Sequence, residues 1–143
     1  MKKIAIFLGI IIVIITCMSY VYLNYKIDYN TTKRKNMEYN NYYEQEISGV
    51  ELTTLINKVV DNNIKNDIQK DEKGNYIDNG KDSIKIDIKF TDDDSVHTLE
   101  EIYNSGVETF MIYYNEIKFK CTKIEYHQQT NRVSYLYFEQ ITG

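Results

Sequence analysis

IAIFLGIIIVIITCMSYVYL, residues 4–23, is twenty residues without a charge. At 1.5 Å of rise per residue a helix of that length spans about 30 Å, the thickness of a bilayer's hydrocarbon core. Twelve of the twenty are Ile, Leu, Val or Phe. At mid-membrane these contribute roughly −4 to −7 kcal/mol together, enough to outweigh Gly9, Thr16 and Ser19. Tyr20, Tyr22 and Tyr25 fall where an interfacial aromatic belt would lie. The stretch therefore reads as a transmembrane helix with the lipid bilayer as its partner.

A cleavable signal peptide would end its apolar core at a small-residue site, whereas this core runs on through Met18, Tyr20 and Tyr22, so retention is expected. Ile14-Ile15-Thr16-Cys17 resembles a lipobox, but Thr16 stands where Gly, Ala or Ser is preferred, and Cys17 reads as an ordinary small apolar residue. Lys2 and Lys3 precede the core, while Lys26, Lys33, Arg34 and Lys35 follow it, so counting positive charges leaves orientation open. The short basic head before a long apolar run has the form of an export signal-anchor. The expected placement is single-pass, with the rest of the chain outside the cytoplasm.

Working outward, residues 1–36 hold six basic side chains and one acidic, leaving 11 basic and 20 acidic for residues 37–143. The amino-terminal part is thus near +5 and the remainder near −9. A net-negative domain repels phosphate backbones, so nucleic acid is not an expected partner. The basic flank suits anionic lipid head groups. A chain of 143 residues has room for one folded domain beside such an anchor. Cys17 and Cys121 lie in different parts of it, and no intramolecular disulfide is expected.

The expected organisation is a short positive head (1–3), the anchor (4–23), a polar, tyrosine-studded juxtamembrane stalk (24–46), and a soluble α+β domain (47–143). Nothing in the stalk forbids continuation of the anchor as helix, with Asn30, Thr31 and Thr32 as a weak point; Tyr39, Tyr42 and Tyr43 could pack on the domain or stay solvated in the linker. Ser48 and Glu51 form a capping box, and Leu52, Leu55, Ile56, Val59 and Val60 make one apolar helical stripe. Asn62 and Asn63 mark its fraying end. The turn-rich segment 67–83 offers Tyr76-Ile77 as a short strand. In 83–90, Ile84, Ile86, Ile88 and Phe90 alternate with Lys85, Asp87 and Lys89, which reads as a half-buried strand. Thr98 and Glu101 form a second capping box, with Leu99, Ile102, Tyr103, Val107, Phe110, Met111 and Tyr114 as the helix's apolar side and Gly106 as a close contact or break. Strands over 117–126 and 132–139 form a hairpin, and a phase slip near Thr122 predicts a bulge. Helices on one face of a three- or four-stranded, mainly antiparallel sheet follow.

No catalytic, cofactor-binding or metal residue is assigned. Cys121 and His127 lie six residues apart on one hairpin, about 20 Å if the strand is straight, too far for a nucleophile pair. Cys121 reads as buried and structural; His97 and His127 read as solvated. Asp92-Asp93-Asp94 is explained as charge at a helix amino terminus, and Asp71, Glu72, Asn75, Asp78, Asn79 and Asp82 lack EF-hand order.

A short positive head, a long apolar helix, an amphipathic helical region and a small antiparallel sheet together resemble pilin-like and pseudopilin-like surface proteins of Gram-positive bacteria. Such proteins carry a Gly at the processing site, then an aromatic residue and a Glu. Here Gly9 is followed by Ile10, and no acidic residue interrupts 10–23. Ile47-Ser48-Gly49-Val50-Glu51-Leu52 also looks like the helix opening of small single-anchor proteins of such bacteria, to which no activity is attached. The reading that follows is a non-enzymatic structural or protein-interaction module of the cell envelope, without cofactor and with a protein partner there. The alternative is a membrane-tethered ligand-sensing or enzymatic domain built on residues such as Tyr135, Tyr137, His127 and the acidic loops.

Overall fold

Residues 2–92 and 95–141 are described by a computed structural model. Two compact units divide the chain, Met1–Arg34 and Lys35–Gly143. Nearly all of the first is helix α1 (Lys2–Asn40), which is long and apolar enough to cross a membrane once. Its apolar side chains are exposed, Phe7 at 64% and Ile12 at 63%. Thr16 donates its hydroxyl to the Ile12 carbonyl at 2.8 Å, so even this polar group is satisfied within the helix, as hydrocarbon requires.

The second unit is α+β. Its described elements are the last turns of α1, β1 (Glu46–Ser48), α2 (Gly49–Lys65), β2 (Lys85–Lys89), β3 (Val96–Thr98), α3 (Leu99–Ser105), α4 (Val107–Tyr114), β4 (Lys118–Tyr126) and β5 (Val133–Gln140). The strands form one open, mixed sheet in the order β1-β4-β5-β2-β3. Among the described strands β2 and β5 pair parallel; Lys85 faces Tyr135 and Ile88 faces Phe138 across them. The sheet is wider than expected because β1 and β3 close its two edges. Each has three residues and ends on the cap of the following helix, Ser48 or Thr98, too short to show a period of two.

The α2 stripe drives packing. Leu52, Leu55, Ile56 and Val59 are fully buried, as are Ile86, Ile88, Phe119, Cys121, Leu136 and Phe138 from the sheet. The cap forms as read: Glu51 N–H donates to Ser48 Oγ at 3.3 Å, and Ser48 N–H donates to the Glu51 carboxylate at 2.8 Å. Gly49 lies so close to α4 that a Cβ there would stand 1.9 Å from the Tyr114 carbonyl oxygen. The predicted bulge is present as a register shift between Cys121 and Lys123.

Two expectations change and one open reading is decided. The weak point at 30–32 does not break the helix, which continues to Asn40 as the sequence allowed, and of the two readings of Tyr39 the buried one holds. Asn36 explains this capture: its amide donates to the Asn131 carbonyl at 2.7 Å and its oxygen accepts Val133 N–H at 3.0 Å. Asn63, expected to fray, is fully buried, and Tyr76-Ile77 contributes only an isolated bridge between Tyr76 and Lys70. Asn63 donates to the Ile84 carbonyl at 2.8 Å and accepts Ile84 N–H at 2.9 Å, serving as strand partner where β2 begins.

Asn63→Ala would leave both backbone groups of Ile84 buried without partners, a loss of about 2–4 kcal/mol. Gly49→Ala should cost about 2–3 kcal/mol through forced displacement of α4. Urea unfolding of the full chain in detergent micelles, followed by near-ultraviolet circular dichroism, checks both; wild-type midpoints would refute these roles.

Candidate functional site

The segment 98–114 begins as one helix and is broken by Gly106, whose φ of 96° and ψ of 113° end α3. With φ that positive, glycine is the residue that fits, and the chain restarts as α4 without a side-chain cap. The break sets α4's faces. Phe110 points inward at 7% exposure, while Ile112 and Tyr113 point to solvent at 74% and 71%. Beneath α4 lies an aromatic cluster in which Phe90 meets Tyr114 at 4.9 Å and Phe110 stacks on Tyr114 at 5.0 Å. Between cluster and break is a pocket of about 260 Å³ lined in part by Phe90, His97, Ile102, Phe110, Tyr113 and Tyr114.

His97 is not merely solvated. Its Nε2 lies 2.7 Å from Ser95 Oγ and its Nδ1 3.4 Å from Glu101 Oε2, the connectivity of a hydroxyl-activating relay. Glu101 Oε2 is also the acceptor for Thr98 N–H at 3.0 Å, and the His97 and Glu101 side chains are 42% and 58% exposed. The carboxylate is committed to the helix cap, and water screens what remains of its pull on the imidazole. The arrangement is an extended cap at the mouth of the pocket.

His127, expected in solvent, is buried at 5% exposure. Its Nε2–H donates to the Ser83 carbonyl at 2.7 Å, and its Nδ1 faces Asp78 Oδ1 at 3.5 Å. Burial is favoured because this ring, the Arg132–Asp82 ion pair and the Thr130 hydroxyl on the Lys81 carbonyl all pin the 67–83 loop to the β4–β5 turn. Tyr135 and Tyr137 stack on each other at 6.4 Å on the open face, where Tyr135 donates its hydroxyl to Asp87 at 2.9 Å. Tyr135, Asp78 and Asp87 line a groove of about 320 Å³ that includes neither His127 nor Tyr137. The site suggested by those three residues is therefore divided.

Cys121 is fully buried, and burial raises its thiol to a pKa of about 11. Asp92 lines the α3–α4 pocket, while Asp93 and Asp94 lie outside the described residues. Among the described residues no group of three or more His, Cys, Asp or Glu side chains is gathered as metal ligands. Sequence reading missed Ile112 and Tyr113, which fall off the stripe of a continuous helix; their signal was apolar residues on the wrong face. No protein-family model, no curated protein and no solved structure matches the chain.

Two measurements follow. At pH 8, iodoacetamide should alkylate Cys121 only after denaturant is added; labelling of the folded chain at the rate of a free thiol would contradict its burial. The Asp78 carboxyl is held below the usual range, first by Gly80 N–H, then by the Ser83 hydroxyl and His127. Its stabilisation is present above the unfolded value of about 3.9 and lost as pH falls through the folded value. The melting-temperature gap between parent and Asp78→Asn should close as pH falls from neutral toward 2, and a constant gap would show that titration plays no part.

Proposed function

We propose that this chain is a membrane-anchored, non-enzymatic protein-interaction module of the cell envelope, its folded unit outside the cytoplasm and its α4 face the contact surface. The observation that carries the reading is the exposure of Tyr113, which lines an apolar pocket, next to the equally exposed Ile112. Scattered exposed apolar residues mean little, but an exposed pair continuous with a pocket is the form taken by interaction patches. The architectural likeness to pilin-like surface proteins supports the placement, as does the basic head before the apolar helix.

A photo-crosslinking amino acid at position 113 of the full chain in intact cells should give a discrete protein adduct. The same group at Asp61, exposed on α2, should not. Absence of any adduct at 113, or equal adducts at both positions, would defeat the reading.

The pocket itself favours a second reading, a small-ligand sensor, since its volume lies just below the usual range for such sites. Small aromatic probes such as indole should then raise the melting temperature of the parent and leave Thr109→Trp, which blocks the mouth, unmoved. An equal response from both, or from neither, removes the sensor.

A further inference from the structure

Resting on the reading of the α4 face as a contact surface, we infer that its occupant is the cationic juxtamembrane helix, residues 24–35, of a second copy of this chain. The first ground is charge. Residues 90–117 contain seven Asp or Glu and no Lys or Arg, a one-signed block that includes the whole of α3 and α4. Residues 24–35 contain Lys26, Lys33, Arg34 and Lys35 against the single Asp28. Complementary patches of this kind steer encounter and fix register.

The second ground is spacing. On α4, Glu108, Ile112 and, just past its end, Glu116 recur every four residues, so that an exposed apolar side chain sits between two exposed carboxylates about 12 Å apart. On α1, Lys26, Tyr29 and Lys33 recur at i, i+3 and i+7, placing an exposed aromatic ring between two exposed ammonium groups about 10.5 Å apart. Carboxylate, apolar, carboxylate meets ammonium, aromatic, ammonium at matching length. Tyr29 is 57% exposed and Tyr25, one turn before it, 69%, so the basic segment also offers apolar area to the Ile112–Tyr113 pair.

The same charges argue against the other surfaces within reach. An anionic leaflet and a nucleic acid both repel the 90–117 block. The two patches are different surfaces of one chain, so the contact is head-to-tail. Each copy gives one patch and receives the other, which builds a ring if the rotation closes and a filament if it does not.

The experiment uses two differently tagged full-length chains co-expressed in membranes, both carrying Cys17→Ser. One bears Tyr29→Cys and the other Ile112→Cys. Mild oxidation should yield a mixed disulfide dimer carrying both tags, while two Ile112→Cys chains should not link. Glu108→Lys with Glu116→Lys should cut the yield about tenfold, as should Lys26→Glu with Lys33→Glu, and combining the two sets on opposite partners should restore it. Failure of the mixed dimer, linkage only between identical positions, or a link within one chain when both cysteines are placed together overturns the inference. If the crosslinker at position 113 instead captures a different protein, the contact surface stands and the second copy falls. If it captures nothing, both fall.

Discussion

Burial of the α2 stripe against one side of the sheet is the constraint on which the folded unit depends. An amphipathic helix of seventeen residues cannot shield Leu52, Leu55, Ile56 and Val59 alone, and the sheet cannot shield Ile86, Ile88, Phe119, Leu136 and Phe138 alone. Pressed together they remove both surfaces from water, at about 1.5–3 kcal/mol for each large apolar side chain fully buried. Everything else adjusts to that contact. The missing Cβ of Gly49 lets the helix start close under Tyr114, and the Asn63 amide completes the backbone pairing of β2 at the far end of the same helix.

The legible parts of this arrangement are those whose signal is local and periodic. Ser48 with Glu51 and Thr98 with Glu101 announce two helix starts because a capping box is complete within four residues. The alternation through Ile84, Ile86 and Ile88 announces β2 because one face is wet and the other dry. The slip at Thr122 announces the bulge because a single extra residue reverses which side chains face the core. What stayed hidden depends on partners distant in sequence. Asn63 looks like a helix breaker until Ile84, 21 residues away, accepts and donates to it. His127 looks like a turn residue until the Ser83 carbonyl, 44 residues away, covers it. The Asn36 amide ties the last turns of α1, within the second unit, to Asn131 and Val133, nearly one hundred positions on. Polar residues that serve as surrogate backbone partners have no periodic signature, so they read as loops.

The proposed contact surface was legible in a different sense. Ile112 and Tyr113 were visible as apolar residues outside the stripe read for a continuous helix, and they remain exposed on α4 after the break at Gly106. The uncommitted apolar pair is the side of α4 left over once Phe110 and Tyr114 have packed on Phe90 and Phe119.

Membrane confinement decides how strong such a contact needs to be. Exposed ion pairs contribute about 0.2–1 kcal/mol each, and one apolar residue pair adds little more, so in free solution the α4 face would hold a partner only weakly. If both partners are tethered to one bilayer, as proposed, much of the search is removed and their effective concentration rises, as with a short linker. Under the proposed reading, a weak, charge-registered contact would populate on the membrane and dissolve off it. That regime suits a surface with two apolar side chains and a carboxylate at each end better than it suits an enzyme pocket. It also accounts for a sequence that concentrates positive charge beside its anchor and negative charge over α3 and α4 instead of mixing the two signs along the chain.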